Sequence, residues 1–135
     1  MVCGFIRSKD IEYYSVTHIS DCYRYTINRL EELGASYVEQ VNRIEDFALW
    51  NLPYEFADDW DNMNYFIDIL YCNKKIDDTV KSILDKIRSN FTNASQGQAD
   101  YNPDIWTHDG MRIHEFWSKQ RMLAKEALQL MSESK

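Results

Sequence analysis

The chain has 135 residues, and its 15 lysines and arginines against 22 aspartates and glutamates give a net charge of −7. This is the length of one domain, and a hydrophobic content of 44% with four glycines and two prolines excludes a low-complexity or disordered chain. The acidic excess argues against binding to a phosphate backbone, which depends on lysine and arginine.

The spacing of apolar residues predicts two helices in the first third of the chain. The first, from about residue 20 to residue 33, has apolar residues at steps of three and four, and Gly34 follows it as the residue after the C-cap. The second opens with Ser36 and Glu39, which fit a capping box. Its predicted inward stripe consists of Val38, Val41, Ile44 and Ala48. Pro53 is expected to stop this helix.

Three further helices complete the predicted domain. The third covers about residues 54–71, and the fourth begins at Asp77 or Asp78 as N-cap. Its predicted core face consists of Val80, Ile83, Leu84, Ile87 and Phe91. Residues 92–104 form the one long loop, and a last helix over about residues 110–131 has an apolar stripe broad enough to pack against two neighbours. We therefore predict an all-α, single-domain bundle of about five main helices.

The compartment is predicted from the cysteines and from the apolar runs. Cys3, Cys22 and Cys72 have wide and irregular spacing, which is typical of reduced thiols in a cytoplasmic protein. Residues 1–16 show no secretory signal, and they fit either an edge hairpin or a segment lying over the bundle. No apolar run is long enough for a membrane span, so we expect no membrane association.

The negative charge is concentrated in the first 70 residues, which contain 5 basic and 13 acidic residues. In the predicted third helix Asp58, Asp61, Tyr65 and Asp68 follow at steps of three, four and three, so they lie along one ridge. One interpretation is a solvated helix face with acidic residues favoured near the N-terminus. The other is a recognition surface on which carboxylates attract a basic partner and aromatic rings anchor it. The candidate partner-binding residues are Tyr54, Glu55, Asp58, Asp59, Trp60, Asp61, Tyr65 and Asp68.

No residue pattern predicts catalysis, a metal or a cofactor with any specificity. His18 and Cys22 have the spacing of half a zinc site, but no second pair completes it. His108 and His114 lie six residues apart, on different faces of a helix, and helix capping by Thr107 or Asp109 explains that segment. We therefore predict no catalytic residues, no metal ligands and no cofactor.

One alternative is an enzyme. All-α nucleoside-triphosphate pyrophosphatases of the MazG type hold Mg²⁺ with a Glu-Glu-x-x-Glu run followed by Glu-x-x-Asp. The chain is similar in having Glu31 and Glu32, then Glu55 and Asp58, although Ala35 replaces the third glutamate and Gly34 interrupts the run. The resemblance implies a Mg²⁺-dependent hydrolase with these four carboxylates as ligands.

The small size, the acidity and the lack of catalytic residues resemble those of small bacterial immunity proteins, which inhibit nuclease toxins in contact-dependent inhibition and polymorphic toxin systems. The resemblance is one of kind, without a signature motif. It implies a non-catalytic cytoplasmic protein that neutralises a basic protein partner, a toxin nuclease domain, without contacting nucleic acid. The broad stripe of the last helix also suits a homodimer, so the oligomeric state stays open.

Overall fold

The computed structural model describes residues 16–43 and 52–133, and these residues form helices and no strand. The prediction of an all-α fold is confirmed. The elements are α1 (Val16–Gly34), α2 (Tyr37–Arg43), α3 (Leu52–Asp61), α4 (Asn64–Cys72), α5 (Asp78–Asn93), a 3-10 helix (Pro103–Trp106), α6 (His108–Ile113) and α7 (Glu115–Glu133). The predictions for residues 1–15 and for Ile44 and Ala48 lie outside the described residues.

The last helix, α7, is the central element of the core. It packs against both α1 and α5, which confirms the two neighbours expected from its broad stripe. Trp117, Ala124 and Ala127 are completely buried along it. Gln120 is also buried, because its Nε2 donates to the carbonyl of Ile87 at 3.0 Å and its Oε1 accepts from Asn90 at 3.0 Å. A polar residue is thus accommodated in the α5–α7 interface with its hydrogen bonds satisfied.

Two of the predicted helices are each interrupted. The predicted third helix is divided at Asn62 and Met63 into α3 and α4. Arg88 of α5 donates to the carbonyls of Trp60 at 3.1 Å and Asp61 at 3.3 Å, so these groups are satisfied without a continuous helix. The predicted last helix is divided at His114, whose backbone is extended and whose Nδ1 accepts from the Phe116 N–H at 3.0 Å. His114 therefore serves as the N-cap of α7.

The local capping predictions are largely confirmed. The Ser36 hydroxyl accepts from the Glu39 N–H at 3.3 Å and donates to the Glu39 carboxylate at 3.1 Å. Asp77 caps α5 through the Val80 N–H at 2.9 Å. Thr107 caps α6 in the same way, by accepting from the Gly110 N–H at 2.9 Å. The predicted core face of α5 is also buried at all five positions.

Several details of the predictions are wrong. Gly34 is the last residue of α1 and does not have the positive φ expected of a residue after the C-cap. Val38 is 67% exposed rather than inward-facing, and Ile113, predicted in the stripe of the last helix, is 69% exposed beside the break at His114. Pro53 lies in the first turn of α3, where its missing N–H has no helical partner to lose. Whether the second helix continues to Pro53 depends on residues 44–51, which lie outside the described residues.

The Gln40 side chain is held by hydrogen bonds to two other helices. Gln40 is fully buried on α2, and its Nε2 donates to the last carbonyls of α1, those of Glu32 at 3.1 Å and Leu33 at 3.0 Å. Its Oε1 accepts from Arg121 of α7 at 2.8 Å, so one side chain connects three helices.

At Gly110, a Cβ would lie 1.7 Å from the carbonyl oxygen of Asp104, so only glycine fits there.

The cysteines differ from their predicted state. Cys22 is free, buried, and its thiol has a pKa raised by burial and by Asp21. Cys72 is disulfide-bonded, so the prediction of reduced thiols throughout is wrong for this residue. Within residues 16–43 and 52–133, no helix combines the length and the apolar character that crossing a membrane requires.

Candidate functional site

The candidate surface lies on α3 and α4. From Leu52 to Asn73 the sequence contains five carboxylates and no lysine or arginine. The break at residues 62 and 63 changes the predicted single ridge into two short faces, because α3 and α4 have separate axes. The five carboxylates consequently have different surroundings, and the structure separates those that neighbouring elements neutralise from those that remain open.

Asp58 and Asp61 are the open carboxylates. Both are exposed, and neither forms an ion pair with any other residue of the described ranges. They are three positions apart in the last turn of α3, so their side chains are neighbours on the helix surface. That turn contains no basic residue.

The position of this pair bears on the two interpretations of the acidic helix. A carboxylate is favoured at a helix N-terminus and disfavoured at a C-terminus, where the carbonyl ends already carry partial negative charge. Glu55 lies in the first turn of α3 and fits the solvated-helix interpretation. Asp58 and Asp61 lie at the opposite end, so helix stability does not explain them. Residues that oppose the local structural preference are characteristic of functional surfaces.

An open groove of about 260 Å³ runs beside the pair, between α3 and α5. Its lining residues are Ala57, Asp58, Asp61, Arg88, Phe91, Thr92, Ser95 and Gln98. The guanidinium of Arg88 donates to the carbonyls of Trp60 and Asp61 and, at 3.3 Å, to Oδ1 of Asn64. Its donors are therefore directed at the end of α3 and the start of α4, and not at the carboxylates of the groove.

Asp59 is directed away from the groove, toward α1. Its Oδ2 lies 3.4 Å from Nη1 of Arg29, whose Nη2 is 2.7 Å from the Glu32 carboxylate. Burial raises the pKa of Asp59, and the nearby carboxylates of Glu55 and Asp58 act in the same direction, while Arg29 acts against them. Asp59 thus belongs to an intramolecular contact between α1 and α3.

Asp68 is half-buried against α5 and is also removed from the open surface. Burial raises its pKa, and Asp85 adds to that effect, whereas the positive charges of Lys81 and Arg88 lower it. Two cations of α5 therefore lie near this carboxylate. Asp68 is better described as part of the α4–α5 contact than as a free recognition group.

The three aromatic candidates also differ. Trp60 is only 1% exposed and belongs to the core, so its predicted role as a surface anchor is wrong. Tyr54 is 46% exposed and stacks on Trp106 with 4.8 Å between ring centroids. Tyr65 is 51% exposed at the start of α4. Tyr54 and Tyr65 remain available for contact with a partner.

The carboxylates of the alternative enzyme do not form a metal site. In the parts of the chain that the structure describes, no group of three or more histidine, cysteine, aspartate or glutamate side chains is placed to hold a metal ion. Glu32 is engaged with Arg29 on α1, at 2.7 Å. Glu31, Glu55 and Asp58 therefore do not combine with Glu32 into the Mg²⁺ centre that the pyrophosphatase resemblance implies.

His108 and His114 form hydrogen bonds within the fold. Nδ1 of His108 lies 2.6 Å from the hydroxyl of Tyr37, which joins α6 to α2. His114 is occupied as the N-cap of α7. The side chain of His18, predicted as half of a zinc pair with Cys22, lies outside the described residues.

Sequence reasoning did not find the groove or the contacts of Arg29 and Arg88. Arg29 and Glu32 have the i, i+3 spacing of a helical ion pair, which was a usable signal. Arg88 gave no such signal, because its acceptors lie on segments more than twenty positions away. Trp60 is four residues after Phe56 and three before Met63, a helical spacing that indicated its burial.

Comparison of the chain with protein-family models, with curated proteins and with solved structures finds no match. The functional argument therefore depends on the surface itself.

Proposed function

We propose that the protein is a non-catalytic acidic binding protein that neutralises a basic protein partner, and that it acts as an immunity protein against a nuclease toxin. The observation that carries this proposal is the pair of exposed carboxylates, Asp58 and Asp61, which lie at the unfavourable end of α3 and form no ion pair within residues 16–43 and 52–133. They belong to a segment, Leu52 to Asn73, that contains no lysine or arginine.

The choice of partner follows from electrostatics. A nuclease carries a basic surface because it binds the phosphate backbone of its substrate. An inhibitor with the opposite charge gains association rate over long distances and is discriminated from other proteins by charge complementarity. An inhibitor of this kind needs no catalytic group and no cofactor of its own. The net charge of −7 and its concentration in one segment fit this role.

The proposed interface is smaller than the sequence-based one. It comprises Asp58 and Asp61, with Tyr54 and Tyr65 as aromatic anchors and Glu55 at its edge. Tyrosine suits this role because a large amphipathic ring with few rotatable bonds loses little entropy on binding. Asp59, Trp60 and Asp68 are not part of the proposed interface, because they face neighbouring helices or the core. We place the encounter in the cytoplasm.

The experiment is a pair of affinity captures from source lysate. Tagged wild-type protein and the Asp58→Lys/Asp61→Lys variant are loaded in parallel, washed at low salt and eluted at about 0.5 M salt, with mass spectrometry of the eluates. We expect one basic protein with nuclease activity to be retained by the wild type and lost from the variant.

A matched control is Glu31→Lys/Glu126→Lys, which makes the same change in net charge at two exposed carboxylates on α1 and α7. This control is expected to keep the partner. If the partner remains on the Asp58 and Asp61 variant, or leaves both variants equally, the proposed interface is wrong. If the retained protein has no nuclease activity, the immunity function is wrong.

A further inference from the structure

The size of the groove between α3 and α5 limits what it can hold. Its volume of about 260 Å³ is just below the range of about 300–1,000 Å³ typical of small-molecule sites. It is open to solvent along one side. One wall is α3 with Ala57, Asp58 and Asp61, and buried Phe91 of α5 contributes to the lining. These dimensions suit a single long side chain that projects from a partner protein.

The polarity of the groove selects a cation. Asp58 and Asp61 contribute two negative charges, and the C-terminal carbonyls of α3 add partial negative charge at the same place. Arg88 contributes one positive charge, but its donors are used by Trp60, Asp61 and Asn64, so it does not neutralise the carboxylates by direct contact. The groove thus remains net negative, with carboxylate oxygens as open acceptors.

On the basis of the proposed function, we infer that this groove receives an arginine side chain of the basic partner, with the guanidinium bridging Asp58 and Asp61. Side chains three apart on a helix are separated by about 5–6 Å at Cβ, a spacing that a planar fork with five donors can span. A lysine ammonium is a compact point charge and contacts the two carboxylates less completely. The aliphatic part of the arginine lies along Ala57 and Phe91, where it covers apolar surface.

The test uses a single-site probe, the blocked tripeptide acetyl-Gly-Arg-Gly-amide, titrated into the ¹⁵N-labelled full chain at low salt. Backbone amide shifts are followed by NMR for the wild type, for Asp58→Asn/Asp61→Asn and for the control Glu31→Gln/Glu126→Gln, which has the same net charge. The corresponding lysine tripeptide is titrated in parallel.

We expect the largest shifts at the groove, around Ala57, Asp61 and Ser95, with weaker binding of the lysine peptide. The Asp58 and Asp61 variant should lose affinity about fivefold to tenfold, as for the removal of two exposed ion pairs, and the control should lose little. Shifts spread over all acidic residues, or an equal loss in both variants, overturn the groove assignment. Equal affinity for the lysine peptide overturns the assignment to arginine.

This outcome is separate from that of the proposed function. Groove-centred shifts together with a lysate capture that yields no nuclease would uphold the arginine site and refute the immunity role. A captured nuclease together with shifts centred elsewhere would uphold the immunity role and refute the arginine site.

Discussion

Neutralising the carboxylates at the two ends of α3 should have unequal effects on the free energy of unfolding. Asp61 lies at the C-terminal end of the helix, and Glu55 lies in its first turn. Asp61→Asn removes a charge that the helix dipole disfavours, whereas Glu55→Gln removes one that the dipole favours. Both substitutions keep the shape of the side chain, and each changes helix propensity little.

The magnitude follows from where the two groups lie. A charge in the last turn of a helix changes stability by about 0.3–1 kcal/mol at low salt. Asp61 is exposed, which favours the lower half of that range, but Asp58 three residues earlier adds like-charge repulsion of about 0.2–0.5 kcal/mol. We therefore expect Asp61→Asn to raise the free energy of unfolding by about 0.5–1 kcal/mol and the Tm by about 2–4 °C. Glu55→Gln should change the free energy of unfolding by less than about 0.5 kcal/mol, because the lost dipole interaction is offset by the lost repulsion from Asp58 and Asp59, three and four positions later.

Urea and thermal unfolding at pH 7, followed by circular dichroism, measure both effects. Each should shrink at 1 M salt, where the Debye length falls to about 3 Å. Glu126→Gln, at an exposed position within α7, is the control and should change stability little. If Asp61→Asn does not stabilise the protein more than Glu55→Gln does, the dipole argument on which the proposed role of Asp58 and Asp61 depends is refuted.

Three further predictions concern the core and its titration. Gln40→Met should lower the free energy of unfolding by about 2–4 kcal/mol, because two carbonyls and the Arg121 guanidinium lose their hydrogen bonds to Gln40. In the same denaturant titrations, Gln129→Met at an exposed site should change the free energy of unfolding by less than about 0.5 kcal/mol. Gly110→Ala should lower the free energy of unfolding by about 3 kcal/mol or more, because a Cβ would overlap a backbone oxygen. Gly34→Ala should be neutral or stabilising, because its Cβ would face a flexible lysine side chain at 3.3 Å; comparable melting temperatures of the two variants would contradict this. Because burial raises the pKa of Asp59, folding favours its protonated form. The free energy of unfolding of the wild type relative to Asp59→Asn should therefore fall as pH rises from about 3 to about 6. A rise over this range would refute the buried position of Asp59 between α1 and α3.

The helices and their starts were largely predictable because their signals are local. The core face of α5 repeats every three or four residues, and Asp77 and Thr107 cap helices through amides only three positions away. The second helix was less well predicted. Val38 is outward-facing because buried Gln40, a polar residue that the hydrophobic pattern ignores, takes the inward position on α2.

The candidate site was predictable only in composition. The acidic residues are evident in the sequence, but whether each is open depends on contacts from distant segments. Asp59 is paired by Arg29, thirty positions away, and the end of α3 is fixed by Arg88. Because the sequence did not show that α3 ends at Asp61, this residue was predicted in the middle of a long helix, where the helix dipole neither favours nor disfavours a charge. Tertiary contacts thus decide which carboxylates form the surface.

The central claim is stoichiometric neutralisation of a basic nuclease, and the most direct measurement is a titration of nuclease activity. The captured partner is held at fixed concentration, and its cleavage of nucleic acid is measured against increasing amounts of wild-type chain and of the Asp58→Lys/Asp61→Lys variant. The account predicts a linear loss of activity that ends at one equivalent of wild-type chain, with no loss for the variant at that ratio. Full nuclease activity at excess wild-type chain, or equal inhibition by the variant, would contradict it.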